Sequence, residues 1–123
     1  MARKNRRKIR GTDGDDELIG TKKKNKLYGY DGDDVIDGGA GGKNKAWGGN
    51  GADTFVTRDS KGYLKIMDFE VGRDLIEFCG CASTRIEMRG DNAWILKGST
   101  VKAVVVGVDE SDLTMDFANG IIF

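Results

Sequence analysis

The residues best suited to chemistry in this chain are carboxylates set in glycine turns. Asp13-Gly14-Asp15-Asp16 and Asp31-Gly32-Asp33-Asp34 repeat the same four residues, and Asn50-Gly51-Ala52-Asp53 is a third, less acidic copy. Acid oxygens crowded into a tight turn suit a hard oxygen-seeking cation. A pair of acids also suits glycosidase chemistry, but acids on glycine turns fit ion coordination better, so the chain is not expected to be an enzyme. Histidine is absent. That excludes Ser-His-Asp and Cys-His catalysis and every histidine-ligated zinc or haem site. Cys79 and Cys81 are the two cysteines of the chain, too few for a disulfide framework or a four-cysteine zinc site. A bridge between them closes a strained ring, so a free pair is expected.

The elements that must hold these acids are set by a repeat. From Gly11 the chain falls into blocks of nine: Gly11 to Ile19, Gly20 to Tyr28, Gly29 to Asp37, Gly38 to Trp47 (one residue longer) and Gly48 to Val56. Each opens on glycine, and the fourth place is glycine in all but the second, where it is Lys23. The sixth place is Asp16, Asn25, Asp34, Asn44 and Asp53; the eighth is Leu18, Leu27, Ile36, Ala46 and Phe55. Glycines make the turn, the sixth residue supplies oxygen at its end, and the next three form a short strand whose central side chain points inward. Strands this short cannot stand alone, so stacked turns must share one core.

Composition agrees. The 123 residues hold 19 glycines and no proline, a balance that favours tight turns of positive φ over a linker. Hydrophobic content is 38%, low for so short a chain, which makes a bound ion a reasonable extra stabiliser. Lys+Arg and Asp+Glu are both 20, so there is no strong global field, only local patches.

The blocks from Gly11 to Val56 resemble the nonapeptide repeats of the RTX (hemolysin-type) calcium-binding family. The resemblance implies an all-β fold: a short parallel β-roll, with successive blocks on alternate sides, closed by an antiparallel β cap. It implies Ca2+ between stacked loops, held by Asp16, Asp34 and Asp53 with loop carbonyls, and it draws Asp13, Asp15, Asp31, Asp33, Gly14, Gly32 and Gly51 into the candidate site. An EF-hand starting at Asp31 fails, because its fifth place is Val35 and its twelfth Gly42.

Alternation makes the two sides unlike. The odd blocks stack acids; the even blocks stack Lys22, Lys23, Lys24, Lys26, Lys43 and Lys45, with Asn25 and Asn44 in place of aspartate. Asparagine keeps a carbonyl oxygen and loses the charge a hard dication needs. Calcium is therefore expected on the odd side alone, in the gaps between the first and third and the third and fifth blocks, with a lysine ammonium standing in on the other side or simply solvated. Metal binding and folding should be coupled, with an affinity near ~10⁻⁴–10⁻³ M, as in extracellular modules.

The nonapeptide rhythm stops after Val56, which divides the chain into a basic arm 1–10, a roll 11–57 and a cap 58–123. The segment IMDFEVGRDLIEF resembles the region C-terminal to the repeats in RTX proteins, and that resemblance adds Asp68 to the ligands and Asp74 as a weaker candidate, which reads better as a turn residue. Strands are expected at Leu64 to Phe69, Leu75 to Phe78, Ile86 to Met88, Ala93 to Leu96 and Val101 to Val108, with hairpin turns at 89–92 and 97–100. Asp109 should cap one helical turn. The Arg89-Gly90-Asp91 tripeptide needs no explanation beyond the hairpin.

No apolar run is long enough to follow the basic start as a signal peptide or to span a bilayer. The resemblance and the weak calcium affinity point to an extracellular protein exported by type I secretion machinery through a C-terminal signal. A cytoplasmic protein is the alternative. In that reading Arg3, Lys4, Arg6, Arg7, Lys8 and Arg10, with the lysine loops, bind a polyanion such as nucleic acid or an acidic polysaccharide, and the roll is a scaffold.

Overall fold

A computed structural model describes residues 8–21, 24–38, 43–57 and 63–123. The fold is all-β, as expected, with a single short 3-10 turn at Glu110–Asp112 among the described residues. The strands are β1 (Lys8–Arg10), β2 (Glu17–Ile19), β3 (Lys26–Tyr28), β4 (Val35–Asp37), β5 (Lys43–Trp47), β6 (Thr54–Val56), β7 (Tyr63–Ile66), β8 (Leu75–Glu77), β9 (Thr84–Arg89), β10 (Asn92–Lys97), β11 (Thr100–Val105), β12 (Met115–Asp116) and β13 (Ile121–Ile122).

Two sheets face each other. One runs β1-β3-β5-β7-β11-β10-β9 and the other β2-β4-β6-β8-β13-β12. Strands β1 to β8 therefore alternate between sheets, and each of β1 to β6 pairs in parallel with the strand two ahead. The eighth-place residues pair directly: Leu18, Ile36, Phe55 and Ile76 in one sheet, Ile9, Leu27, Ala46 and Ile66 in the other. All of these are buried except Ile9, which packs partly against the same core. Each fully buried aliphatic or aromatic side chain contributes about 1.5–3 kcal/mol, and no three-residue strand persists without its neighbours.

The roll is longer at both ends than the nonapeptide count. Lys8–Arg10, expected as the end of a free arm, is its first strand. β7 and β8, expected in the cap, form a further parallel coil. The fixed nine-residue spacing misses that coil because loops lengthen: inward Phe55 is followed by Ile66, then by Ile76. Antiparallel pairing begins with the β9–β10–β11 meander, whose β11 lies parallel to β7, and with β12–β13 beside β8. These strands cover the open end of the core with Ala93, Ile95, Ala103, Val105 and Ile122. Gly90 and Gly98 close the two hairpins at positive φ. Asp109 caps the 3-10 turn by accepting from the Ser111 backbone N–H.

The cysteine expectation is overturned: Cys79 and Cys81 form a disulfide, not a free pair. Gly80 between them adopts φ 70°, and that turn brings their Cα atoms to 5.2 Å, within the range a disulfide spans.

Ile36 is wholly buried, whereas Ile19, the last residue of a neighbouring strand, is 51% exposed. Ile36→Ala is expected to lower unfolding free energy by about 2–5 kcal/mol, and Ile19→Ala by no more than about 0.5 kcal/mol, measured by urea denaturation in calcium.

Candidate metal centre

The loops entering β2, β4, β6 and β8 all cross from the first sheet to the second and stack on one edge of the roll. The strand ladders fix their spacing at about 4.8 Å. A Cβ is not accommodated at the first place of the repeat, nor at the fourth place of the second and third acidic loops. A Cβ at Gly11 would stand 2.6 Å from Asp16 Oδ2, and one at Gly29 would stand 2.5 Å from Asp34 Oδ2. At Gly48 the same clash falls on Asp53 Oδ2. First-place glycine thus leaves the slot that the sixth-place carboxylate fills. Gly32 (φ 91°) and Gly51 (φ 98°) lie against the backbone of the loop before them, Gly14 and Gly32 respectively. Fourth-place glycine lets whole loops touch.

Two sets of bridges join the loops, running in opposite directions along the roll. Sixth-place acids reach back: Asp16 N–H donates to Asp34 Oδ1 (2.8 Å), Asp34 N–H to Asp53 Oδ1 (3.0 Å), and Asp53 N–H to Asp74 Oδ1 (2.9 Å). Fifth-place acids reach forward: Asp33 N–H donates to Asp15 Oδ1 (2.7 Å), and Ala52 N–H to Asp33 Oδ1 (2.8 Å). Asp31 accepts from the Asn50 side-chain amide, and Asp13 is exposed. Asp68 accepts from the Gly48 and Gly49 N–H groups at 2.7 and 2.9 Å, on the side of the third loop that faces the cap.

Asp74 is the residue the sequence reading undervalued. It is 1% exposed and continues the sixth-place row into the fourth loop, with its other oxygen accepting from Glu70 N–H at 2.8 Å. The available signal was its position two residues before an inward apolar side chain, as Asp16, Asp34 and Asp53 precede Leu18, Ile36 and Phe55.

The oxygens are unevenly satisfied. Asp16 is served within its own loop by the Thr12 N–H and hydroxyl. Buried Asp34 Oδ2 and Asp53 Oδ2 have no hydrogen-bond partner. Burial pushes the Asp34, Asp53 and Asp74 carboxyls up, with further upward pressure from neighbouring carboxylates; backbone N–H donors only partly oppose it. Asp53 is pushed up to about 7.

The opposite edge solves the same geometry without charge. Asn25 N–H donates to Asn44 Oδ1 (2.6 Å), matching the aspartate bridges. In the slot where the acid edge has an unpartnered oxygen, Asn44 Nδ2 donates to the Gly38 carbonyl at 2.8 Å. The described donor there is an amide; Lys24 and Lys26 are exposed, as in the solvated alternative, and Lys22 and Lys23 lie outside the described residues. Among the described residues no three acidic side chains converge on one point. A cation on the acid edge would therefore draw on single carboxylates from successive loops and on backbone carbonyls, an all-oxygen set that fits Ca2+. Arg3, Lys4, Arg6 and Arg7 lie outside the described residues, while Lys8 and Arg10 are exposed on β1. Among the described residues no helix is long and apolar enough to cross a membrane.

Comparisons with known proteins bear on this edge. Residues 10–42 and 41–59 match the family model of the RTX calcium-binding nonapeptide repeat, in four copies. The solution structure of a subunit of the Azotobacter vinelandii mannuronan C5-epimerase is 27% identical, covering 89% of this chain and 78% of that one, with a TM-score of 0.49. The extracellular lipase of Serratia marcescens is 20% identical; the match covers 91% of this chain and 20% of the lipase, with a TM-score of 0.54, a likeness of fold. No curated protein matches the sequence.

In calcium-free solution the raised carboxyl of Asp53 sets a pH dependence. Between its ordinary 3.8 and about 7, the folded chain holds a proton that the unfolded chain has released. The stabilisation is complete below that window and is lost as pH rises through it. Urea midpoints in chelator are expected to be higher at about pH 5 than at about pH 8, and calcium should remove most of the difference.

Proposed function

We propose, from the premise that residues 10–59 are RTX calcium-binding nonapeptide repeats, that this chain is a non-enzymatic module whose roll is stabilised by Ca2+ on its acid edge alone. One observation carries the reading. Asp34 Oδ2 and Asp53 Oδ2 are buried without a donor, in the slot that an amide N–H donor fills on the opposite edge. A dication would supply there the positive charge that the Asn44 amide supplies in part.

Asp34 and Asp53 are the central ligands in this reading. Asp16 and Asp74 end the row, and Asp68 closes the third loop. Gly14, Gly32 and Gly51 contribute by bringing loop backbones together. Exposed Asp13, Asp15, Asp31 and Asp33 raise the local negative potential, and Asp15 and Asp33 also tie loops through backbone N–H groups.

Bound calcium turns repulsion between stacked carboxylates into cohesion, so folding follows calcium concentration. An affinity near ~10⁻⁴–10⁻³ M leaves such sites empty at cytosolic calcium and filled outside the cell. That difference supports a secreted protein that folds after export, with type I machinery the route the repeats suggest.

Circular dichroism during a calcium titration, with magnesium as control, tests the reading. A calcium-selective gain of β signal near ~1 mM is expected, with Asp34→Ala shifting the midpoint most. A chain fully folded in chelator and unmoved by calcium would overturn it.

A further inference from the structure

The two faces of the roll are segregated by charge. Strands β1, β3, β5 and β7 read KIR, KLY, KNKAW and YLKI, carrying Lys8, Arg10, Lys26, Lys43, Lys45 and Lys65 and no acid. Strands β2, β4, β6 and β8 read ELI, VID, TFV and LIE, carrying Glu17, Asp37 and Glu77 and no base. Strand alternation turns Ile9, Leu27, Ala46 and Ile66 toward the core and the cations outward.

Register sharpens the pattern. Lys8 pairs with Lys26, Lys26 with Lys45, and Lys45 with Lys65. Four ammonium side chains thus stand in one row at the strand spacing of about 4.8 Å. Like charges directly opposite on a sheet are destabilising. Among the described residues none of the four has an ion-pair partner. The next row runs Arg10, Tyr28, Trp47. The Tyr28 and Trp47 rings stack at 4.8 Å and 9°, and Tyr30 extends the stack at 6.3 Å and 15°. Their faces lie largely against one another, so the row offers mainly ring edges, phenol O–H groups and an indole N–H.

We infer that this face binds an extended acidic polysaccharide, with the polymer lying across the strands along the lysine row. A polymer with one carboxylate per sugar ring carries a dense, regular line of negative charge on a length scale comparable to the strand spacing of about 4.8 Å, which complements the lysine row. Its hydroxyls match the polar edges of the aromatic row. Single-stranded nucleic acid needs open aromatic faces on which bases stack. Hold on a lipid surface is strengthened by exposed apolar side chains, and Ile19, Val71, Phe117 and Phe123 lie outside these four strands, leaving Tyr30 as the exposed large side chain beside the row.

The test uses the calcium-loaded full chain and a short oligogalacturonate, too short to gel with calcium. Binding is measured by calorimetry across a series of salt concentrations. Wild type is expected to bind, with log affinity falling linearly with log salt. The K26Q/K45Q/K65Q variant should bind at least about tenfold more weakly, with a salt slope shallower by about three. The K26R/K45R/K65R variant should keep its affinity. Calcium-induced circular dichroism of the same variants separates loss of the face from loss of the roll, since the loops lie on a different edge. No binding by wild type, unchanged binding by the glutamine variant, or tighter binding to oligothymidine or anionic vesicles than to the uronate would overturn the proposal.

Discussion

Everything on the acid edge depends on one spacing. Backbone ladders hold successive coils about 4.8 Å apart, and the loops must stack at that distance whatever they carry. Gly32 and Gly51 make close contact possible, and the same contact forces Asp34 and Asp53 into burial beside other acids. Their Oδ1 atoms are used as bridges to the preceding loop, while their Oδ2 atoms are left without donors. The fold is therefore incomplete in electrostatic terms at the place where its backbone is most regular. A proton restores part of the balance at low pH, and a divalent cation would do so without one.

The opposite edge works as an internal control. The same turn carries Asn25 and Asn44, and the same backbone bridge forms, but the second amide atom is a donor and finds the Gly38 carbonyl. The replacement of a carboxylate oxygen by an amide nitrogen thus separates buried oxygens without a donor from an amide that finds its acceptor. Of the two expectations for the lysines, Lys24 and Lys26 fit the solvated one, and the lysines on β3, β5 and β7 form a face of their own.

Much of this was legible in the residues. Leu18, Leu27, Ile36, Ala46 and Phe55 are buried as the eighth-place pattern requires, and the odd and even blocks lie in different sheets. The sixth-place acids occupy equivalent positions, and Asp34 and Asp53 are the buried pair. Features escaped wherever the period slips. Leu64 and Ile66 both point inward on β7, and the lengthened loops hide Asp74 from a count of nine. Ile9 sits one period before Leu18, yet the basic residues around it masked the strand. The lysine row requires knowing which strands are neighbours: Lys26, Lys45 and Lys65 are far apart in sequence and meet only through register. The disulfide depends on the left-handed turn at Gly80, which spacing alone does not reveal.

The most direct measurement is the stability of the Asp34→Asn/Asp53→Asn chain in chelator, by urea denaturation beside wild type. The account predicts that the doubly amidated acid edge resembles the asparagine edge: more stable than wild type without calcium at about pH 8, and no longer stabilised when calcium is added. A double variant that is no more stable than wild type in chelator, or that still gains full stability from calcium, would contradict the claim that buried, donorless carboxylates are what the ion serves.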